Sequence, residues 1–505
     1  MMNKRCCWVL FRQAERWMSR SSWTSHHKTL NQAYDDLAEI LLRDSSTKSA
    51  ISRSESVLSN IALDESCYEP KLPHICVIPS TTIHVSECVA YCYKNNIPMV
   101  AVGARTGLEG GIHAMHGGVS FDLTSMNNIL ELNERDLDCN VQTGLSWREL
   151  NNQIRSTGLW FPVDPGASAS LGGMAATSAS GTNAVKYGTM RENVMGLEVV
   201  VADGKVIRTA GEKCRSKKSS AGLNITNLYV GSEGILGIIT SIRLKLHTLP
   251  SCIGVVTVSF PNVKSAIQSV VEIMQSGMQA ARVEFLDRQA VTACRKASQL
   301  STLDDRGPML FIEMHGFTES ALKDQVDVLS ELVKDNGATN LEWSSMPEKR
   351  TELWKARHDL HWSILATKPG FKAIDTDVCV PLSNLCDMIL CTHQLIKESG
   401  LSSSIMSHAG DGNFHAVILH DPNDNTQLIR AKKLAENIAN VAIDFDGTVT
   451  GEHGVGRGKV SLIERQFNKQ SLDVMYLLKR SLDPKNLFNP DKMFSAYRIF
   501  PHKTD

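Results

Sequence analysis

The chain has 505 residues, with 53 Lys and Arg against 54 Asp and Glu, a net charge of −1, and 42% hydrophobic residues. This composition supports a buried core and excludes a mainly disordered chain, and the lack of basic excess argues against nucleic acid as a partner. No run approaches the roughly 18 uninterrupted apolar residues of a membrane span, and at roughly 100–200 residues per domain the length implies two or three domains.

The first 30 residues carry Lys4, Arg5, Arg12, Arg16, Arg20 and Lys28 against Glu15 alone, with Ser19, Ser21, Ser22 and Ser25 and four aromatic residues interleaved. A basic, serine-rich, acid-poor leader has the composition of a mitochondrial transit peptide. Residues 1–29 are read as that leader, cleaved between Ser19 and Thr29, and 30–69 as a helical lead-in. The 13 cysteines include no C-x-x-C pair, which disfavours zinc ribbons and thioredoxin-like chemistry and suits reduced, buried thiols.

A helix is expected over 83–95, then a short buried strand over 98–102 running into Gly103-Ala-Arg-Thr-Gly-Leu-Glu-Gly-Gly111. Glycines after a strand let backbone N–H groups approach a phosphate, although this spacing fits neither common nucleotide-binding motif. Strands follow over 119–123 and 139–143. Asp164-Pro-Gly-Ala167 then leads into Leu171-Gly-Gly-Met-Ala-Ala-Thr-Ser-Ala-Ser-Gly181. So many small residues bury little apolar area as a packing element, but their backbone can lie against a long flat ligand. A strand over 197–204 and Gly231-Ser-Glu-Gly-Ile-Leu-Gly237, leading into another strand, complete this half.

From 251 the pattern is strand 253–260, helix 263–276, strands 281–286 and 309–314, helix 320–336 and strand 340–344. This is a split β-α-β pattern, which predicts an antiparallel sheet capping the first half. One charged, aromatic-rich helix is expected over 348–365. On residue type alone, its Arg357 reads as a solvated helix position.

His408-Ala-Gly-Asp-Gly-Asn-Phe-His415 lies between apolar strands at 404–407 and 414–419. A hairpin-like turn can bring both imidazoles to one point, as a metal requires. Asp411 reads as a turn-former rather than a ligand. Glu452-His453 lies inside the glycine-rich Gly447-Thr-Val-Thr-Gly-Glu-His-Gly-Val-Gly-Arg-Gly458. Helices over 459–467 and 471–482 and the segment Asn486-Leu-Phe-Asn-Pro-Asp-Lys492 end the chain's readable elements.

Taken in order, the segments at 102–111, 162–167, 172–177, 196–200 and 231–237 resemble the FAD-binding domain of the vanillyl-alcohol-oxidase, or PCMH, type. Over about 55–495 the chain resembles the D-2-hydroxyacid dehydrogenase branch of the type 4 FAD-binding oxidoreductase/transferase family. The resemblance implies an α+β fold. It consists of a PCMH-type FAD-binding domain over 70–250, a ferredoxin-like α+β cap over 251–445, and a C-terminal helical segment over 446–505 that returns to the flavin site.

The resemblance also implies site residues. FAD contacts fall on Gly103, Ala104, Arg105, Thr106, Gly107, Leu108, Gly111, Pro165, Gly166, Gly172, Gly173, Thr177, Gly181, Glu233, Gly237, Ile239 and Asn489, with Lys492 near the cofactor. His408, His415 and Glu452 would bind a divalent metal, Zn²⁺ or Mn²⁺. His453 would be the base and Arg357 the grip on the substrate carboxylate. Some proteins of the wider fold attach flavin to a histidine. His113 and His116 follow the first loop, and non-covalent FAD is the expectation.

The implied reaction is oxidation of a D-2-hydroxy acid, D-lactate to pyruvate first, by hydride transfer to flavin N5. The metal would polarise the substrate, and electrons would pass to cytochrome c or an electron-transfer flavoprotein. D-2-Hydroxyglutarate and glycolate are alternative substrates, and an ether-lipid synthase of the alkyl-glycerone-phosphate type is the alternative of another class. The location implied is the mitochondrion, in the matrix or at the inner membrane.

Overall fold

Short apolar runs build the first sheet. Ile75–Ile78, Val119–Asp122 and Met99–Val102 pair in parallel, and Ala50–Ser52 adds antiparallel at one edge. Parallel neighbours need a crossover, and helix Thr82–Lys94 supplies one. Its N-terminus is capped by the Thr81 hydroxyl, which accepts from the His84 N–H. Its buried face, Val85, Cys88, Val89 and Cys92, shares a core with the sheet and with Leu37 and Leu41 of helix His27–Leu42. The computed structural model describes residues 27–43, 49–298 and 303–499. All but the last three residues of the expected leader lie outside them.

The second sheet is antiparallel, in the order Ile129–Asn133, Asp138–Gln142, Ile238–Lys245, Val194–Val200, Val206–Arg208. The small-residue stretch forms the short helix Leu171–Thr177. Glycine is required where this helix meets its neighbours. A Cβ on Gly172 would collide with Thr143, and one on Gly103 with Ser170 Oγ. The first loop, the end of the second sheet and the small helix therefore close on one another almost backbone to backbone.

The third sheet has eight strands. Four of them, Asn340–Ser344, Cys252–Ser259, Met309–Gly316 and Ala280–Leu286, lie side by side in that order, all antiparallel. In chain order this is fourth, first, third, second, the ferredoxin-like arrangement. Helices Val263–Gln275 and Glu319–Asp335 pack their apolar faces into its core.

The sheet does not stop there. Ala280–Leu286 pairs onward with Ser402–His408, then Asn413–His420, then Lys372–Asp375, while Val378–Cys379 also pairs with Asn413–His420. An unpaired Ala280–Leu286 would have been an apolar edge; the histidine hairpin covers it. The single helix expected over 348–365 is two, Pro347–His358 and Leu360–Leu365, because Asp359 turns the backbone between them.

Charged and aromatic groups lock the third sheet onto the small-residue segment. Arg282 lies 3.2 Å from Asp164 and stacks over the Trp354 ring at 4.6 Å, and Tyr187 Oη lies 2.8 Å from His315 Nδ1. The C-terminal chain returns to the first sheet, where Met99 N–H donates to Leu487 O and Asn489 N–H to Met99 O. Buried Lys479 fastens this return by donating to the carbonyls of Ile235 and Phe488 and to Asp483.

Candidate active site

A cleft of about 610 Å³ collects residues from the three sheets described above. The loops at 103–111, 164–182 and 233–239 form one wall, and Arg357, Met406, His408, His415, Glu452 and His453 lie on the other. Every residue assigned above to cofactor, metal or catalysis lines this one cleft, Lys492 excepted.

The loops are cross-braced by polar atoms. Glu233, at φ 50°, accepts from the backbone N–H groups of Val455 and Gly456, at 2.7 Å each. Its carboxylate therefore ties the third glycine segment to the loop carrying Glu452 and His453. Asn489 Nδ2 donates to Gly111 O at 3.0 Å and Glu233 O at 2.8 Å, joining the C-terminal return to two glycine loops. Arg105 donates to Asn60 O, and Thr177 Oγ1 to Gly173 O.

His408 and His415 lie within strands rather than in the turn between them. Met406 stands opposite His415 in the register, so His408, two residues on, projects from the same face. The rings meet edge to face with centroids 5.5 Å apart. Glu452 Oε1 lies 3.2 Å from each Nε2, and the three ligand atoms lie within 4.8 Å of one another.

The second nitrogens fix the tautomers. His415 Nδ1 is 3.0 Å from Thr376 O, which can only accept, so in the neutral ring Nδ1 carries the proton and Nε2 presents a lone pair. That lone pair faces a carboxylate oxygen, an arrangement that calls for a cation between them. His408 Nδ1 lies 2.8 and 3.0 Å from the two oxygens of Glu284. An imidazole backed by a carboxylate or carbonyl is the usual support for a metal-ligating histidine. Burial opposes a charged His408, yet Glu284 and Glu452 outweigh it and hold its pKa well above the ordinary value. Against the opposing effect of burial, the two histidines hold Glu452 well below the usual carboxylate range.

A second group, Asp377, His415 and His453, also brings three ligand atoms together. It suits a metal poorly. Asp377 Oδ2 already accepts from Thr450 Oγ1 and from the N–H groups of Gly451, Glu452 and His453. His415 Nδ1 is committed to Thr376. Asp411 lies in neither group, consistent with its reading as a turn residue.

Arg357 is 6% exposed, and its Nη2 lies 2.6 Å from Glu284 Oε2. Its Nε is buried without a hydrogen-bond partner. Sequence reasoning missed Glu284 and Asp377, which are single acids in strand-like runs and carry no local motif. It also missed His361, which lines the cleft 3.2 Å from Asp375 and whose pKa that carboxylate raises against the effect of burial.

Residues 73–210 match the model of the FAD binding domain, and residues 249–493 the model of the C-terminal domain of FAD linked oxidases. The chain is 46% identical to a Danio rerio protein named probable mitochondrial D-lactate dehydrogenase, over 85% of this chain and 86% of that one. The chain belongs to the FAD-linked oxidase family. It is also 38% identical to an Arabidopsis thaliana protein named mitochondrial D-lactate dehydrogenase [cytochrome], over 85% of this chain and 75% of that one. Its fold is the PCMH type. It superposes on p-cresol methylhydroxylase with a TM-score of 0.71 at 15% identity, covering 94% of this chain and 98% of that one.

The glycine wall of the cleft fits FAD, because bare backbone lines it at Gly107, Gly111 and Gly166, where a Cβ would stand in open space that a ligand can fill. Lys492, expected near the cofactor, is 1% exposed and does not line the cleft; its ammonium donates to His113 O. Burial, with help from Arg457, pushes its pKa down to about 7. The unfolded chain keeps this proton up to about pH 10.4. Folding therefore releases a proton between about pH 7 and ~10.4, and stability rises with pH across that window. Lys492→Met is expected to flatten that rise, which thermal melts across the window would show; an unchanged slope would count against it.

Proposed function

We propose that this protein oxidises a D-2-hydroxy acid, D-lactate to pyruvate first, in the mitochondrion, and passes electrons to a cytochrome-type acceptor. The names of the fish and plant relatives support the substrate and location, and the plant name supports the acceptor. The observation that carries the site reading is the buried, unpartnered Nε of Arg357 in the same cleft as His408, His415 and Glu452.

In this reading the loops at 103–111, 164–182 and 233–239 hold FAD, and His408, His415 and Glu452 hold a divalent cation of the Zn²⁺ or Mn²⁺ class. When bound, FAD supplies the two-electron acceptor and the cation draws charge from the substrate oxygens. Arg357 orients the substrate carboxylate. His453, neutral in its buried setting, takes the hydroxyl proton. His113 and His116 do not line the cleft. His113 is 3.3 Å from Asp64 and His116 is 2.6 Å from Asp491, which supports non-covalent FAD.

Charge favours a monocarboxylate. Among the described residues no lysine lines the cleft, and the two other arginines found there each donate to a loop carbonyl, Arg105 to Asn60 and Arg148 to Gly166. A second substrate carboxylate, as in D-2-hydroxyglutarate, would have to compete with those carbonyls for a guanidinium.

Arg357→Lys is expected to raise KM for the hydroxy acid by roughly 10–100-fold. A point ammonium cannot reproduce the planar fork, and a charged hydrogen bond is worth about 1.5–3 kcal/mol. An unchanged KM would remove Arg357 from carboxylate binding. The direct test is purified holoprotein with an artificial dye acceptor on D-lactate, L-lactate, glycolate and D-2-hydroxyglutarate, with acid precipitation alongside. D-Lactate should give the highest kcat/KM and free FAD should appear in the supernatant. Preference for D-2-hydroxyglutarate, or flavin in the pellet, would overturn the corresponding part.

A further inference from the structure

Glu284 is 1% exposed; both of its oxygens face His408 Nδ1, and Oε2 also faces the Arg357 guanidinium. Oε1 lies 2.8 Å from His408 Nδ1, and Oε2 lies 2.6 Å from Arg357 Nη2. The three residues come from different elements. Glu284 is on strand Ala280–Leu286, His408 is opposite it on Ser402–His408, and Arg357 is on helix Pro347–His358. A buried carboxylate is costly unless its charge is matched, and packing alone would be served by a neutral side chain. A structural ion pair would need one partner, whereas Glu284 has two, both lining the cleft.

We propose that Glu284 is a positioning residue that sets the separation between the carboxylate-binding guanidinium of Arg357 and the metal-binding imidazole of His408. This rests on the metal and substrate reading given above. Two effects follow from one side chain. Accepting from His408 Nδ1–H turns the Nε2 lone pair towards Glu452 and makes it a stronger donor to a cation. Anchoring Arg357 through the ion pair at Nη2 sets where the guanidinium stands in the cleft, with its buried Nε making no hydrogen bond.

The test uses Glu284→Gln and Glu284→Asp in the FAD-loaded protein. Zn²⁺ and Mn²⁺ affinity is measured by competition with a chelator, and KM and kcat for D-lactate with a dye acceptor. FAD content and Tm report folding. Glu284→Gln should weaken metal binding by about 10–100-fold with FAD content unchanged. Excess metal should restore kcat but leave KM raised, because the guanidinium stays misaimed.

Glu284→Asp keeps the charge but is one methylene shorter. It should lose one of the two contacts and shift one of the two readouts, so it carries the test if the glutamine variant fails to fold. Unchanged metal affinity and KM in a folded variant would overturn the proposal while leaving the metal reading intact. Wild-type protein that takes up neither Zn²⁺ nor Mn²⁺ would overturn the metal reading, and this proposal with it.

Discussion

His408→Ala and His415→Ala are each expected to lose turnover by about 10³-fold or more and to lose bound divalent metal, while keeping FAD. Charge stabilisation by a bound cation is worth several kcal/mol, and each 1.36 kcal/mol is a factor of ten in rate. Neither side chain belongs to the glycine loops, so flavin content should be unaffected. The two variants differ in their side effects. Removing His408 takes the cationic partner from Glu452 and leaves Glu284 with Arg357 alone. Breaking a buried pair costs about 3–5 kcal/mol, so that variant should also melt earlier. Removing His415 frees the Thr376 carbonyl and the second contact of Glu452 and takes away the ring stacked on His453, so it spares the Glu284 pair but disturbs the base. Metal analysis and dye reduction on the same preparation check both, and variants that keep metal and rate would make the histidine pair structural.

What could be read from the chain is what is local in it. The glycine segments and His408-Ala-Gly-Asp-Gly-Asn-Phe-His415 carry their geometry within a few residues, and all of them line the cleft. Four strands of the third sheet and two of the helices between 252 and 344 were legible for the same reason, but helix Arg288–Ser298, between the second and third strands, was not read. The extension of that sheet was not legible either. Glu284 meets His408 across 124 residues of chain, and no periodicity reports a pairing so distant. Strands Ile129–Asn133 and Lys372–Asp375 are short and mixed in polarity and gave no signal.

Asp377 is the most instructive omission. It sits in Thr376-Asp-Val-Cys-Val-Pro381 as one acid among apolar residues, a pattern that reads as strand. In the fold one of its oxygens gathers a hydroxyl and three successive N–H groups, which shapes the loop presenting Glu452 and His453. Glu233 teaches a related lesson. Its loop was legible, but its carboxylate braces another loop instead of pointing only at a ligand.

His453→Asn is expected to reduce kcat and kcat/KM together by about 10²–10⁴-fold, the usual contribution of a positioned base. The ring stacks on His415 with centroids 5.0 Å apart and an interplanar angle of 11°, and its Nδ1 is buried without a hydrogen-bond partner. Burial, with His415 and Lys459 adding to it, outweighs Asp377 and Glu452 and lowers the pKa below the ordinary histidine value. The imidazole is therefore neutral at neutral pH and able to accept a proton. Asparagine removes that capacity while leaving the backbone N–H that donates to Asp377 at 2.9 Å. The loop should keep its shape, and metal should stay on His408, His415 and Glu452. This separates loss of the base from displacement of the neighbouring ligand. Loss of metal in this variant would point to a disturbed loop. Full metal with near-normal kcat would assign the hydroxyl proton to another acceptor in the cleft.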